Sequence, residues 1–406
     1  MKFFSTRNKK EIYHFDQVLI KSTAKDGGLF VPENLPHVDQ KTIKRWAKLD
    51  YIDLAVEVIY LFSNIRKPVL RKLIKKAYQE FKTPICPVRK LANQLYIEQL
   101  FQGPTLAFKD YALSLLGQVC DYILKKGKLK KQIFCATSGD TGPAAIHGFK
   151  NCDNIDITVY FPDKNVSKLQ RQQMMGVKKS NVHAIPMKGS FDDAQALVKK
   201  LFLVDKQDKL MAVNSINIGR IIAQMVYYIY AVLQFNNTKT CFYVPSGNFG
   251  NILAGYMAKC LGFNIELAIV VNDNDTLARF AKTGIFKPSK TIMTDASAMD
   301  IANPSNFERI LWYLSGNDRF VQKCMRDLKT KGQYQVPKAF LKKYNACFKT
   351  FVCKQKAIKI NQKEFKQRYH IDICPHTAVA YGGYKQDKQK DINQVIIATA
   401  NPIKFR

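Results

Sequence analysis

Four polar islands in this chain carry groups able to do chemistry. The first is Gly103-Pro104-Thr105-Leu106-Ala107-Phe108-Lys109-Asp110, a single lysine in an apolar turn. Beside Leu106 and Phe108 its amine is partly desolvated, which lowers its pKa and frees the neutral form as nucleophile or base. The second, Pro245-Ser246-Gly247-Asn248-Phe249-Gly250-Asn251, has two glycines that let the backbone bend around an anion. The third, Thr137-Ser138-Gly139-Asp140-Thr141-Gly142-Pro143, offers hydroxyls and backbone N–H groups. The fourth, Val213-Asn214-Ser215-Ile216-Asn217-Ile218-Gly219-Arg220, offers neutral hydrogen bonds and a planar guanidinium that suits phosphate. Plain alternatives stand beside them: a surface lysine for the first, a strand-to-helix turn for the third and a helix cap next to a surface arginine for the fourth, while a lone glycine loop such as the second is weak evidence by itself.

The elements around these islands must aim them. A helix after Lys109 has an apolar stripe of Ala112, Leu116, Val119, Cys120 and Ile123. Asp110 is its expected cap, and Lys125, Lys126 and Gly127 its expected close. Strands are expected over 95–100, 132–136, 155–161, 182–187, 241–244, 265–271 and 394–398. Helices are expected from Ala144, over 191–202 with Asp192 and Asp193 in the first turn, over 221–233 with Asn217 as cap, and from about Ile252. Strand, loop and helix in that order point N–H groups at an anion. The alternation predicts parallel sheets with right-handed crossovers, hence an α/β fold with ligands at the carboxyl ends of the strands. Residues 1 to about 80 read as a separate helical cap region, and 315–370 as lysine-rich and helical.

At 406 residues and 47% hydrophobic, the chain can build two or three domains. It has no run of about 18 apolar residues for a membrane helix, and its start lacks the apolar core of a signal peptide. Ten cysteines show no C-x-x-C pair, which argues against zinc or a disulfide framework and suits a reducing cytoplasm. The net charge of +32 admits nucleic-acid binding. No aromatic-interleaved basic box accompanies it, so lysine drift over solvated faces is the preferred reading. The 245–251 loop is neither a Walker A loop nor a G-x-G-x-x-G fingerprint.

The octapeptide around Lys109 resembles the cofactor-lysine box of the threonine synthases, fold-type II enzymes dependent on pyridoxal 5'-phosphate (PLP), in their long-chain bacterial and fungal branch. Counterparts recur in family order: residues 26–36, the three other islands, 272–276, 298–306, Cys374-Pro375-His376-Thr377 and Thr399-Ala400-Asn401-Pro402-Ile403-Lys404-Phe405. Asn401 stands where a histidine is common, and Lys164-Asn165 where the family has Gly-Lys. The chain stops just past the last motif, where long members continue.

The resemblance implies a fold like the β subunit of tryptophan synthase, with the cofactor in a cleft between two parallel-sheet α/β domains. Residues 85–130 with 210–406 would form the larger domain and 131–209 the smaller, next to a mainly helical region 1–84. It implies that Lys109 binds PLP and moves protons. Ser246, Gly247, Asn248, Phe249, Gly250 and Asn251 would cradle the cofactor phosphate, Asp140 would face its ring, and the Thr399 hydroxyl would meet its nitrogen. Ser138, Gly139 and Thr141 would hold the substrate carboxylate. Asn214, Ser215, Arg220 and Lys164 would hold the phosphate of O-phospho-L-homoserine. His376 is expected to cap its helix or to stand behind the site, and 272–276 and 298–306 to be structural. No metal is implied, and a monomer or homodimer is expected. The implied reaction yields L-threonine and phosphate. The competing readings are a related phospho-lyase or serine/threonine dehydratase, and a PLP-free basic protein that binds nucleic acid.

Overall fold

The computed structural model describes every residue except 165, 206, 207, 390 and 406, and the side chains of 192, 199 and 203 are outside the description too. The expected first-turn acid Asp192 and the Asn165 of the Lys164-Asn165 pair lie outside the described residues. The chain opens with β1 (Lys2–Ser5), β2 (Asn8–His14), α1 (Phe15–Lys21) and β3 (Phe30–Pro32), then α2 (Gln40–Trp46), α3 (Tyr51–Tyr60) and α4 (Lys67–Tyr78). A hairpin of β4 (Val88–Ala92) and β5 (Leu95–Gln99) leads to α5 (Lys109–Gly127). Next come β6 (Lys131–Ala136), α6 (Thr141–Phe149), β7 (Ile155–Pro162), α7 (Lys168–Met175), β8 (Val182–Met187) and α8 (Phe191–Val204). The chain continues through α9 (Ile218–Leu233), β9 (Thr240–Pro245), α10 (Gly250–Cys260), β10 (Ile265–Val271), α11 (Thr276–Thr283), β11 (Ile285–Phe286), α12 (Phe307–Ser315) and α13 (Asp318–Lys331). It closes with β12 (Tyr334–Gln335), α14 (Lys338–Cys347), β13 (Phe348–Val352), α15 (Gln355–Tyr369), α16 (Pro375–Gln386) and β14 (Asn393–Ala398).

The large sheet is ordered β13-β10-β9-β14-β5-β4. All its neighbours are parallel except the edge strand β4, which pairs antiparallel with β5. Strands β9, β10 and β14 are near-continuous apolar runs, as expected where helices cover both faces. A smaller sheet, β6-β7-β8, is wholly parallel. Two expectations need correction. The first 32 residues hold an antiparallel sheet, β2-β1-β3, beside the helices. Its outer members are too short or too polar to show a two-residue period. The stretch 315–370 is not all helix either, since β13 forms an edge of the large sheet.

Helix α5 carries Lys109 and is buried on nearly every face from Asp110 to Cys120, not along one stripe. It is pressed between α6, α4 and α9. Two glycines let α5 and α6 touch backbone to backbone. A Cβ on Gly148 would fall 2.5 Å from the Leu113 carbonyl oxygen, and one on Gly117 would fall 2.0 Å from that of Gly148. Alanine favours a helix interior over glycine by about 1 kcal/mol. Overpacking against a backbone that cannot swing away costs about 3 kcal/mol, so the clash wins. Gly148→Ala is therefore expected to lower the urea midpoint. A raised midpoint would refute this packing account.

Glu98 sits inside this core on β5, fully buried. The Cys86 thiol donates to its Oε1 at 3.1 Å, while Oε2 has no partner. Burial pushes its carboxyl up to about 8, against the opposing hydrogen bond from Cys86.

Candidate active site

Four loops leave the carboxyl ends of parallel strands: 100–108 after β5, 137–140 after β6, 246–249 after β9 and 399–404 after β14. The first and last are zipped together. Phe108 N–H donates to the Thr399 carbonyl at 2.8 Å, and Asn401 N–H to that of Leu106 at 3.0 Å. Ala107 and Ala400 form an antiparallel bridge, and Leu106 takes a left-handed φ of 60°. This fixes Lys109 at the start of α5, with its ammonium 6.0 Å from the centre of the Phe108 ring. Asp110 does not cap the helix. Its carboxylate turns back to accept from Thr105 N–H at 2.9 Å and from the Thr105 hydroxyl at 2.5 Å. Nor does Gly127 stop it, because the left-handed residue is Lys128.

Lys109 stays partly accessible. Desolvation lowers its pKa to about 8, a shift opposed by Asp140 and reinforced by Arg220 and Lys404. At neutral pH a usable fraction of the amine is uncharged. Burial pushes the Asp140 carboxyl up, but the cations of Lys404 and Lys109 and the Gln170 amide outweigh it and hold it at about 2. Arg220 is buried too, and desolvation brings its pKa down to about 10, so it remains a cation.

The 246–251 loop is shaped differently from expectation. Its left-handed residue is Phe249, with φ 65°, and neither glycine has a positive φ. The Phe249 ring pays for that conformation by packing edge-on against Phe307 and Phe348. Gly247 is needed for proximity: a Cβ there would meet the Ala298 carbonyl oxygen at 3.1 Å and Met299 Cα at 3.3 Å. Ser305 Oγ donates to Asn248 Oδ1 at 3.2 Å, and Asn306 N–H to the Asn248 carbonyl at 3.1 Å. Ser246 is buried, its hydroxyl donating to the Val244 carbonyl at 3.0 Å. The loop ends at Gly250, the first residue of α10, so the amino end of that helix faces it. Asn251 Oδ1 accepts from the Tyr227 and Tyr228 hydroxyls at 2.6 and 2.8 Å, while its Nδ2 is buried without a partner.

In the 213–220 island, Asn217 caps α9 and is used up structurally, binding Gly219 N–H and the Leu19 and Ala212 carbonyls. Ser215 lies 3.4 Å from Ser305, hydroxyl to hydroxyl. Asn214 is exposed. Arg220 donates to the Val213 carbonyl at 3.2 Å, and its Nε is buried without a partner. In the 137–141 loop, Thr137 Oγ1 takes the N–H groups of Gly139 and Gly142, both at 3.1 Å, leaving Ser138 exposed and Thr141 at the start of α6. Lys164 sits exposed beyond the end of β7 and is not among the charges that act on Lys109.

His376 is not a cap, since Cys374 fills that position of α16. Its buried ring accepts the Ala298 N–H at 3.1 Å through Nε2, and burial pushes its pKa down to about 4, so it is neutral. Two buried residues were missed. Lys404 pairs with Asp140 at 3.1 Å. Arg309 of α12 donates to the Phe30 and Ile216 carbonyls at 2.9 and 2.6 Å, bracing the fourth island from behind. Lys404 lay within the last motif but was given no role, and nothing local marked Arg309.

A family model for the threonine synthase N terminus matches residues 2–78, and one for pyridoxal-phosphate-dependent enzymes matches residues 76–325. The chain is 38% identical to the threonine synthase of Saccharomyces cerevisiae, over 99% of this chain and 87% of that protein. It is 36% identical to that of Pseudomonas aeruginosa, over 100% and 89%. The PLP-bound threonine synthase of Brucella melitensis superposes with a TM-score of 0.96 at 35% identity, over 100% of this chain and 89% of that one. With two family models that together match residues 2–325, and relatives matched along nearly the whole chain, the chain belongs to the threonine synthase family of PLP-dependent enzymes.

Proposed function

We propose that this chain converts O-phospho-L-homoserine and water to L-threonine and phosphate. The observation that carries the reading is the Lys109 amine, partly accessible just past the carboxyl end of β5, with its pKa lowered to about 8 and acted on by Asp140 before α6 and Arg220 on α9. The site fits PLP on its own terms. It offers a desolvated amine, a loop closed by the amino end of α10, and buried donors without partners at Asn251 Nδ2 and Arg220 Nε. When bound, PLP supplies an aldehyde that links to an amine and an electron sink that acidifies hydrogens near the substrate's amino carbon.

The chain's own groups do the rest. Ser246, Gly247, Asn248, Phe249, Gly250 and Asn251 would hold the cofactor phosphate through N–H groups and the helix dipole. The Thr399 hydroxyl would meet the ring nitrogen, Asp140 would stand at the ring, and Ser138, Gly139 and Thr141 would take the substrate carboxylate. Lys109 Nζ removes and returns protons, a role its lowered pKa suits near neutrality. Arg220, with Ser215 and Asn214, stabilises the charge that develops as phosphate departs. Exposed Lys164 could contribute only at the cleft mouth. The four sheets support a division into 1–84, which holds β2-β1-β3, 131–209, which holds β6-β7-β8, and the remainder, which holds the large sheet and the small β11-β12 pair. The free state of the ten cysteines supports a reducing, cytoplasmic setting, and among the described residues no helix is long and apolar enough to cross a membrane.

Product analysis tests the reading. Purified protein with PLP and phosphohomoserine is expected to yield equal threonine and phosphate. Release of 2-oxobutyrate without threonine would instead assign a phospho-lyase or dehydratase.

A further inference from the structure

Lys404 follows β14, in the turn Pro402–Phe405, and its side chain is wholly buried. Each ammonium hydrogen has a partner: Asp140 Oδ1 at 3.1 Å, Gln173 Oε1 at 3.0 Å and the Thr105 carbonyl. These three belong to different parts of the fold. Thr105 is in the loop that carries Lys109, Asp140 precedes α6, and Gln173 is on α7. Gln170, also on α7, donates to Asp140 at 2.9 Å, and Gln173 donates to the Thr105 carbonyl at 3.3 Å. One ammonium thus joins the small sheet's loop and helix to the lysine loop of the large sheet. A buried ion pair is a poor source of net stability, because desolvation offsets the attraction. Its use here is better explained by geometry and charge.

We propose that Lys404 is a positioning residue for the reaction: it clamps Asp140 against the Lys109 loop and offsets that carboxylate's pull on the Lys109 amine. This deepens the function proposed above and rests on it. The groups that act on Lys109 are Asp140 before α6, Arg220 on α9, Cys135 on β6 and Lys404 itself. His376 on α16 acts on Asp140 and faces Lys109. Of the cations, Lys404 is the one whose loss also leaves Asp140 without its ion-pair partner. Removing it withdraws a repulsion from the Lys109 nitrogen and exposes that nitrogen to an unpaired carboxylate. Both changes favour the protonated form.

The test uses the full chain loaded with PLP. The pH dependence of the bound cofactor's visible absorption reports the proton at the Lys109 nitrogen, independently of turnover. In Lys404→Met the absorption midpoint is expected to move up by about one pH unit. Turnover should fall about 100-fold through the misplaced loop, with KM close to the parent's. Lys404→Arg should restore the parent's midpoint, which a merely space-filling role would not require. If Lys404→Met fails to fold, Lys404→Gln, which keeps a donor without the charge, reads the same two quantities. A folded Met or Gln variant with the parent's midpoint and turnover overturns this inference alone. A parent chain that shows no lysine-linked absorption removes the proposed function and this inference together.

Discussion

Lys109→Ala is expected to reduce threonine formation by at least about 10⁴-fold, the upper end of what one proton-transferring group contributes. The loss is so large because one nitrogen both attaches the cofactor and moves the protons, and no second lysine replaces it. Lys404 is near, but its ammonium is fully engaged with Asp140, Gln173 and Thr105. Borohydride reduction followed by peptide mass analysis should place the cofactor's mass on Lys109 in the parent and nowhere in the variant. The pH dependence has a definite sign. Below about 8 the amine of the unloaded chain is mostly protonated and cannot attack a carbonyl; above it the neutral form dominates. Capture of PLP should therefore accelerate as pH rises through about 8. A variant that still makes threonine at a tenth of the parent rate would end the assignment.

Arg220→Met should cost about 10²- to 10³-fold in kcat/KM for phosphohomoserine, the range for removing one preorganised donor from a developing anion. Arg220 lies buried with one nitrogen on the Val213 carbonyl and another bearing no partner. Among the described residues no carboxylate pairs with it, which leaves its charge available to a bound anion. Methionine retains most of the apolar stem, and loss of an unpaired buried cation relieves desolvation, so the variant should fold. Arg220→Lys should also be poor, because a point charge does not reproduce the planar fork. Equal kcat/KM in parent and Arg220→Met would show that phosphate is held elsewhere.

The parts of the fold legible in the sequence were those with a local signature. Strands β7, β8 and β10 announced themselves as bounded apolar runs, and the loops after β6 and β9 by their glycines and the helices that follow. The unmarked parts depend on distant partners. Strand β13, Phe-Lys-Thr-Phe-Val, is short and does not alternate, so nothing in it separates it from its helical neighbours, and pairing with β10 makes it a strand. Asp110 looked like a cap because caps are local, yet its actual partner is Thr105, upstream. The glycines of the 246–251 loop suggested conformational freedom, whereas the strained residue is Phe249, held by rings nearly 60 and 100 residues away in the chain. Lys404 stood inside the last motif, but its role was illegible for the same reason: its partners Asp140, Gln173 and Thr105 are far away in the chain. In the site, residue types could be assigned to loops, but not which of their atoms were already committed, as Thr137 commits the N–H groups of Gly139 and Gly142.

The carboxyl of Glu98 has a thermal consequence. It keeps its proton up to about pH 8 when folded, against an ordinary value of 4.5 once released into water. Between those values each melting event discharges a proton, so this group's support is complete below about 4.5 and ebbs as the medium turns alkaline toward 8. Calorimetry should show the parent's melting temperature declining over that window more steeply than that of Glu98→Gln, whose amide retains an oxygen for Cys86 and has no proton to lose; parallel curves would mean the carboxylate is already ionised in the folded chain.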